Sequence, residues 1–431
     1  MLERLFGLKA HGTTVGTEAL AGGTTFLTMA YIIFVNPAIL GDAGMDKGAV
    51  FVATCLAAAL GSLAMGLLAN YPIALAPGMG INAYFTYTVV IGMGQPWSVA
   101  LGAVFVSGLL FLILALTRVR EAIINSIPRS LKLAISAGIG LFLGTIAFEN
   151  AGLVAAHPVT LVTLGDLHKP AALLAAAGFV VIAALDARRV PGAILIGILG
   201  TAAAGMALGL TPVPATLASL PPSLAPTFLK MDVAGALDLG LVTIVFVFLF
   251  VDLFDNAGTL IGLAHRGDLL DERGRLPRLG RALIADSLAA MASGVLGTST
   301  TTSYIESAAG MKAGGRTGLT AVVVAALFLA ALFLAPLAAA VPSYATAPAL
   351  LFVACLMARG LADIAWDDAT EAVPAVVTAL AMPLSFSIAH GIGFGFITFA
   401  AIKLLSGRGR EAGPVVLLLA AAFVVKYALP G

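Results

Sequence analysis

Residues 297–310 read Gly-Thr-Ser-Thr-Thr-Thr-Ser-Tyr-Ile-Glu-Ser-Ala-Ala-Gly, a hydroxyl run from Thr298 to Ser303 trailed by one carboxylate, Glu306. Consecutive Thr and Ser residues favour extended backbone over a helix interior, because branched carbons and competing hydroxyls disfavour the helix. The remaining residues, Tyr304 to Gly310, suffice only for a short helix. Extended chain joined to a half-helix cannot face lipid, where its N–H and C=O groups would lack partners. Such a stretch has to be buried in protein or line a cavity. The competing reading, a polar external loop, has little room between Val295-Leu296 and the apolar run after Gly318.

Composition says why lipid is the relevant solvent. The 431 residues are 60% hydrophobic and only 10% charged, with a mean hydropathy of +1.05, whereas soluble chains carry about 25% charged residues. The chain is therefore a polytopic membrane protein. A net charge of +1 and the lack of a basic aromatic patch exclude nucleic acid as a partner. No cleavable-signal pattern precedes the first span. Cys55 and Cys355 both lie in apolar stretches and read as small core residues. No glycine-rich phosphate loop is present, which argues against an ATP-driven pump.

Spans of about 20 apolar residues fall near 20–41, 49–69, 73–93, 97–117, 129–148, 170–187, 190–209, 240–263, 279–297, 299–312, 317–340, 345–360, 369–388 and 390–406. A further apolar piece, 413–429, spans or lies in the interface. Basic residues cluster on alternate loops, at Arg4 and Lys9, Arg118–Lys132, Arg188-Arg189, His265–Arg281, Lys312 and Arg316, Arg359, and Lys403–Arg410. The positive-inside rule then puts the N-terminus in the cytoplasm; the plasma (inner) membrane is the expected location.

Three identities recur at one offset of 220 residues: Asn36 with Asn256, Tyr84 with Tyr304, and Pro128 with Pro348. Corresponding places in two seven-span sets make an inverted repeat, since an odd number of spans reverses the second copy. The offset pairs the hydroxyl run with Pro77-Gly-Met-Gly-Ile-Asn82, a second helix break. Half-helices starting near Ala83 and Ser303 are expected to point their positive ends at one site. The two extended pieces are expected to pair edge to edge. The Pro-rich outer segment 210–236 joins the halves. The expected fold is all-α and polytopic, with 14 transmembrane segments in two inverted seven-span repeats and short extended segments in broken spans three and ten.

Carboxylates within spans are costly and mark functional sites. Asp252 and Asp255 stand one turn apart in span eight, and Glu306 lies in span ten. Carboxylate acceptors match a purine's ring N–H and amino donors, and hydroxyls and backbone N–H groups match its acceptors. A buried carboxylate can also carry a proton. Asp252 reads equally well as structural, Asp286 reads as structural, His265 as a solvated loop residue and His390 as a packing residue. No ion cage is evident, and no cofactor is expected.

The segments 24–40, Pro77–Phe85, Asp252–Leu260 and Gly297–Gly310 resemble the azaguanine-type purine permeases, a branch of the nucleobase/ascorbate transporter superfamily, over about Leu5–Leu405. The resemblance implies a uracil-transporter fold with a core domain (1–117, spans 1–4; 237–341, spans 8–11) and a gate domain (118–236, spans 5–7 and the outer linker; 342–431, spans 12–14 and the C-terminal segment). It implies proton-coupled uptake of adenine, guanine or hypoxanthine. By motif position Asp255 and Glu306 look like the family's substrate-binding acids and proton carriers, and Gly80 and Asn82 like its third-span determinants. Thr302, Ser303 and Tyr304 join them as substrate-binding candidates. Asn256 departs from the Thr expected in many relatives. The span-ten motif of the xanthine/urate branch is absent. Carriage of uracil or xanthine, or of a small anion, is the alternative, although two acids disfavour an anion. An intramembrane aspartyl protease lacks its Gly-x-Gly-Asp pattern, because Gly78-x-Gly80 leads into Ile81 and Asn82. A channel would lack saturable, pH-dependent uptake. Purine base, H⁺ and lipid are the expected partners; the oligomeric state is open, with a homodimer the assembly to test.

Overall fold

A computed structural model describes residues 2–117, 127–238, 242–267, 269–270 and 276–428; the side chains of 242, 254, 255, 257, 258, 261, 265 and 266 lie outside the description. In chain order the elements are α1 (Leu2–Phe6), α2 (Val15–Met29), α3 (Ile32–Asp42), α4 (Lys47–Ala64), β1 (Leu75–Pro77), α5 (Met79–Ala83), α6 (Trp97–Leu116) and α7 (Arg129–Asn150). Then come β2 (Val154–His157), β3 (Leu161–Leu164), α8 (Pro170–Ala187), α9 (Ala193–Ala207), α10 (Val233–Ala236), α11 (Val242–Arg266), α12 (Leu279–Leu296) and β4 (Thr301–Ser303). The chain ends with α13 (Ser307–Lys312), α14 (Gly318–Ala331), α15 (Ala335–Ala339), α16 (Ser343–Ala358), α17 (Ala369–Ser385), α18 (Ile388–Leu405) and α19 (Gly409–Ala428). Among the described residues 10 helical stretches are long and apolar enough to cross a membrane. The protein is mostly helical and multi-pass. α19 is interrupted at Gly413 (φ 71, ψ 157), so its regular part begins at Pro414.

Helix is not the whole fold. β2 and β3 form a second antiparallel ladder, Val154↔Leu164 to His157↔Leu161, between α7 and α8, which the all-α expectation did not contain. Its strand residues are mostly exposed, so they pack no core face that hydrophobic patterning could reveal. Two π-helical stretches flank the third-span break, Met65–Ala69 after α4 and Tyr84–Gly92 after α5. Wide turns of this kind often accompany functional sites.

Two compact units are present: Met1–Leu116 with Asn150–Ala349, and Thr117–Glu149 with Leu350–Gly431. In the first, small residues let helices approach closely. A Cβ on Gly310 of α13 would stand 2.6 Å from the Ala21 carbonyl of α2, so only glycine permits this packing. Near one end of the same helix pair Glu18, fully buried, accepts hydrogen bonds from the backbone N–H of Arg316 (2.9 Å), Thr317 (3.3 Å) and Thr320 (3.2 Å) and from the Thr320 hydroxyl (2.6 Å). A carboxylate from α2 thus caps the start of α14. Nothing in the local sequence marks Glu18 for this role, because its partners lie 298 or more residues away.

The second unit is fastened by charge. Lys403 has a fully buried side chain and bonds Glu371 (2.7 Å) and Glu411 (2.8 Å), while Arg408 reaches Asp368 (2.8 Å) and Glu411 (2.7 Å). Ser130 donates to Glu371 as well. A buried ammonium needs such partners, so Lys403 is a tie between α17, α18 and α19 rather than a member of a solvated basic cluster. The Thr370 hydroxyl, and after it Arg408, pull the Asp368 carboxyl down to about 2. His390 packs its ring against Phe394 and Tyr427, at centroid distances of 6.3 and 5.6 Å. Cys55 is buried as expected, but Cys355 is exposed: an apolar stretch in a membrane helix has a lipid-facing side as well as a core side.

Candidate binding site at the two broken spans

β1 and β4 pair antiparallel, Leu75↔Ser303, Ala76↔Thr302 and Pro77↔Thr301. Gly78 N–H to the Thr300 carbonyl (3.0 Å) and Tyr304 N–H to the Ala74 carbonyl (3.0 Å) lengthen the ladder at both ends. The outer edge of β1 is covered by Ser62 of α4, which accepts from Leu75 N–H (2.9 Å) and donates to its carbonyl (3.1 Å). Ser307 accepts from Ala74 N–H (3.0 Å), the Tyr304 hydroxyl donates to the Pro77 carbonyl (2.6 Å), and Ser293 donates to Thr301 Oγ1 (2.7 Å). The backbone groups that a broken span exposes are thereby met by strand pairing and hydroxyls rather than by water.

The ladder fixes where each half-helix begins. α5 starts at Met79 behind the N-cap Gly78, and α13 starts at Ser307 behind the N-cap Glu306, reaching Lys312. Both starts differ from the expected Ala83 and Ser303, and the end lies beyond the expected Gly310. Gly78 is extended (φ −78, ψ 130) and ends the strand there. After Ser303, Tyr304 and Ile305 form the turn that ends β4. The 220-residue offset also slips: β1 and β4 begin 226 residues apart, at Leu75 and Thr301. Tyr84 lies beyond the start of its half-helix and Tyr304 ahead of its own. Pro348 sits inside α16, whereas Pro128 precedes α7.

Around the ladder stands a buried polar shell. Asn82 accepts a short hydrogen bond from Ser299 through Oδ1, and its Nδ2 has no partner among the described residues. The same holds for Thr302 Oγ1, Ser303 Oγ, Tyr84 OH and both amide atoms of Asn256. Asn36 donates to Thr54 (2.6 Å) and Thr298 (2.8 Å) and so pins the start of the hydroxyl run. Buried polar atoms normally find partners, and this many in one place is what a polar ligand would satisfy. Gly80 is half-buried beside them.

α11 runs alongside. Phe248 meets Tyr84 edge to face at 4.8 Å, and Leu260 packs with Ile73, Leu75 and Met311. Asp252 and Asn256 lie between, on the same i, i+4 stripe as Phe248 and Leu260, and both are buried. The stripe carries them past both breaks, which supports Asp252 as a site residue beside its structural reading. Asp255 belongs to the α11 backbone, and its side chain lies outside the described residues, as does that of His265, which falls within α11 rather than in a loop. Asp286 is buried in α12.

Glu306 is partly exposed and caps nothing with its side chain. Its Oε1 accepts from the hydroxyl of Tyr31, at 2.6 Å. Tyr31, at the junction of α2 and α3, is a partner that the sequence did not announce. The site therefore gathers Gly80, Asn82, Thr302, Ser303, Tyr304 and Glu306 about one ladder, with Asp252 and Asn256 on the passing helix.

A strand-paired crossing of two broken helices inside a mostly helical multi-pass bundle defines a membrane transporter, not an enzyme. The Permease family profile (Xan_ur_permease) matches residues 16–394, and the chain belongs to that family. It is 50% identical over 426 residues to the adenine permease AdeP of Escherichia coli (strain K12), covering 99% of this chain and 96% of that protein. It is 46% identical over 437 residues to the guanine/hypoxanthine permease PbuG of Bacillus subtilis (strain 168), covering 99% of each. Among solved structures, the transmembrane domain of a cyanobacterium bicarbonate transporter, BicA, matches with a TM-score of 0.66 at 16% identity, over 88% of this chain and 97% of that one, and shows the shared fold.

Proposed function

We propose that this permease imports purine nucleobases (adenine, guanine or hypoxanthine) together with protons across the plasma membrane, with its N-terminus cytoplasmic. The observation that carries the reading is the polar shell about the β1–β4 ladder. It combines amide and hydroxyl groups lacking partners among the described residues with carboxylates, and a purine edge offers matching donors and acceptors. The names of the relatives support the substrate class. Glu306 and Asp255 take the roles of substrate acceptor and proton carrier, with Asp252 beside them. Carboxylates facing the ligand disfavour the same-fold alternative of a small anion; uracil or xanthine remains the competing base.

In the same reading the fourteen spans form two inverted repeats, and alternating access rocks a core (1–117 and 237–341) against a gate (118–236 and 342–431). In partial support, Leu350–Gly431 forms a compact unit with Thr117–Glu149, whereas Asn150–Ala349, which includes spans six and seven of this gate, belongs to the other unit.

Uptake of labelled adenine and of labelled hypoxanthine, each competed by the other bases in a purine-transport-null cell, identifies the substrate. Uptake should rise as external pH falls and collapse with a protonophore. Asp255→Asn should retain exchange or downhill flux only, since an amide can hold the base but cannot carry the proton. Concentrative, protonophore-insensitive uptake by the parent would defeat the coupling.

A further inference from the structure

We infer that Tyr31 is the positioning residue of Glu306: its phenol holds the carboxylate in place and sets how readily it takes up a proton. The inference rests on the reading of Glu306 as a transport carboxylate. Tyr31 is 2% exposed, and its hydroxyl donates to Glu306 Oε1 across 2.6 Å, the length of a charge-assisted bond. The Tyr304 ring stands 6.4 Å from the Tyr31 ring, and its own hydroxyl is committed to the Pro77 carbonyl. Tyr304 thus packs beside the phenol and walls it in.

Span one also tracks the half-helix along its length. Glu18 holds the corner after α13, Gly310 seats α13 on Ala21 and Thr25, and Thr28 Oγ1 lies 3.4 Å from the Glu306 carbonyl oxygen. Tyr31 is the last of these contacts and the one that touches the carboxylate. α2 and α3 act as a splint that keeps the short, six-residue α13 from rotating Glu306 away from the ladder.

The titratable or charged groups on the elements packed about Glu306 are few. They are Glu18, Tyr31 and Asp42 on α2–α3, Tyr304, Lys312 at the far end of α13, and Asp252, Asp255, His265 and Arg266 on α11. Glu18 is engaged by the α14 start, and Asp42 accepts from Tyr87 at 2.7 Å. Tyr31 is a neighbour whose hydroxyl bonds the Glu306 carboxylate directly, so its removal acts on that carboxylate. A donor to an ionised carboxylate stabilises it more than it stabilises the neutral acid. Deleting the donor eases protonation, and strengthening it opposes protonation.

The test compares the pH profiles of uptake, at matched surface amounts, for the parent, Tyr31→Phe and Tyr31→3-fluorotyrosine introduced by codon suppression, using whichever of adenine or hypoxanthine the parent accumulates. Tyr31→Phe should move the midpoint to higher pH by roughly 0.5–1 unit, the difference between charged and neutral hydrogen bonds. The fluorinated phenol, a stronger donor of nearly the same shape, should move it the other way. A role in packing alone would shift neither. Unchanged midpoints in both variants, with a pH-dependent parent, would overturn the inference. If Tyr31→Phe does not reach the membrane, the fluorotyrosine arm decides by itself. A pH-flat parent would instead defeat the proton reading. Tyr31 is then judged by KM: a several-fold rise in Tyr31→Phe sustains it, and an unchanged KM ends it.

Discussion

The two helix breaks solve one problem with different chemistry. At the third-span break, proline and glycine stop the chain, and α5 starts behind a residue with no side-chain cap. Its first-turn N–H groups have no intrahelical acceptor. At the tenth-span break, hydroxyls stop the chain, and the first N–H groups of α13 are already turned onto the Tyr304 (3.1 Å), Ile305 (3.1 Å) and Glu306 (2.9 Å) carbonyls. A carboxylate stands there instead. One break presents donors and the other an acceptor, on the two sides of a ladder only three residue pairs long. A flat solute with donors and acceptors along its edges fits such an asymmetric pair better than it fits two equal ends.

The comparison breaks first at Glu306. Glu306→Gln should abolish concentrative uptake while leaving surface expression intact. Loss of a hydrogen bond to a charged group, worth about 1.5–3 kcal/mol, lowers affinity roughly ten- to hundredfold, and an amide carries no proton. Accumulation by the variant equal to that of the parent at every pH would remove the acceptor side from the site. At the other break, Gly80→Val tests whether the bare backbone is the reason for glycine there. Gly80 is half-buried beside the ladder, and filling that space should cost about 1–3 kcal/mol of binding, roughly ten- to hundredfold in KM. Parental kinetics in the Gly80→Val variant would mean that the base does not approach α5.

The two breaks were legible in the sequence, for reasons that differ from residue to residue, but their asymmetry was not, because two equal positive helix ends were expected there. The hydroxyl run and Pro77-Gly78 declare breaks because their local conformational preferences are strong, and two breaks inside a bilayer have to pair. Hence the pairing of two extended pieces is deducible from composition and hydrogen-bond bookkeeping, but not that the third-span strand is Leu75–Pro77, ahead of the expected Pro77–Asn82. Where the half-helices begin is not. That depends on which N–H groups the partner strand takes, a long-range matter that shifted the starts to Met79 and Ser307 and spoiled the 220-residue offset at the breaks. Tyr31, Glu18 and Lys403 were invisible for the same reason: each matters through a partner brought near by folding. The exposed β2–β3 hairpin carries no inward face to announce it.

A finer cut at the donor side is Asn82→Ala. The side chain offers Nδ2 without a partner among the described residues, while Oδ1 is occupied by Ser299. Removing a neutral hydrogen bond worth about 0.5–1.5 kcal/mol should raise KM roughly two- to tenfold and alter the ranking of competing bases. Outside the spans the strongly lowered acids among the described residues include Asp368 and Glu411, both held down to about 2, so their protonation does not confuse the pH profiles of these variants. Asp368, lowered to about 2 by Thr370 and Arg408, contributes stability above the ordinary aspartate range, and that stability is lost only as pH falls through about 2.

The smallest effect expected, and the one that joins the two breaks, is that of Ser299→Ala. Ser299 belongs to the hydroxyl run of span ten, yet its hydroxyl donates to Asn82 of span three. Once Oδ1 is held as an acceptor of that bond, Nδ2 is committed to face elsewhere as the donor. The sequence identity of Asn82 alone would allow either end of the amide to meet the base, so the donor character of this break is set by the other break. Without Ser299 the amide is free to turn, and a base acceptor loses its preference for Nδ2 over Oδ1. KM should change by only about twofold, since the group itself remains, but discrimination between adenine and hypoxanthine in competition should narrow, because the two bases present opposite hydrogen-bonding character at C6. If Ser299→Ala keeps the parental selectivity while Asn82→Ala loses it, then Asn82 is oriented by something other than span ten. In that case the two breaks act as independent halves of the site.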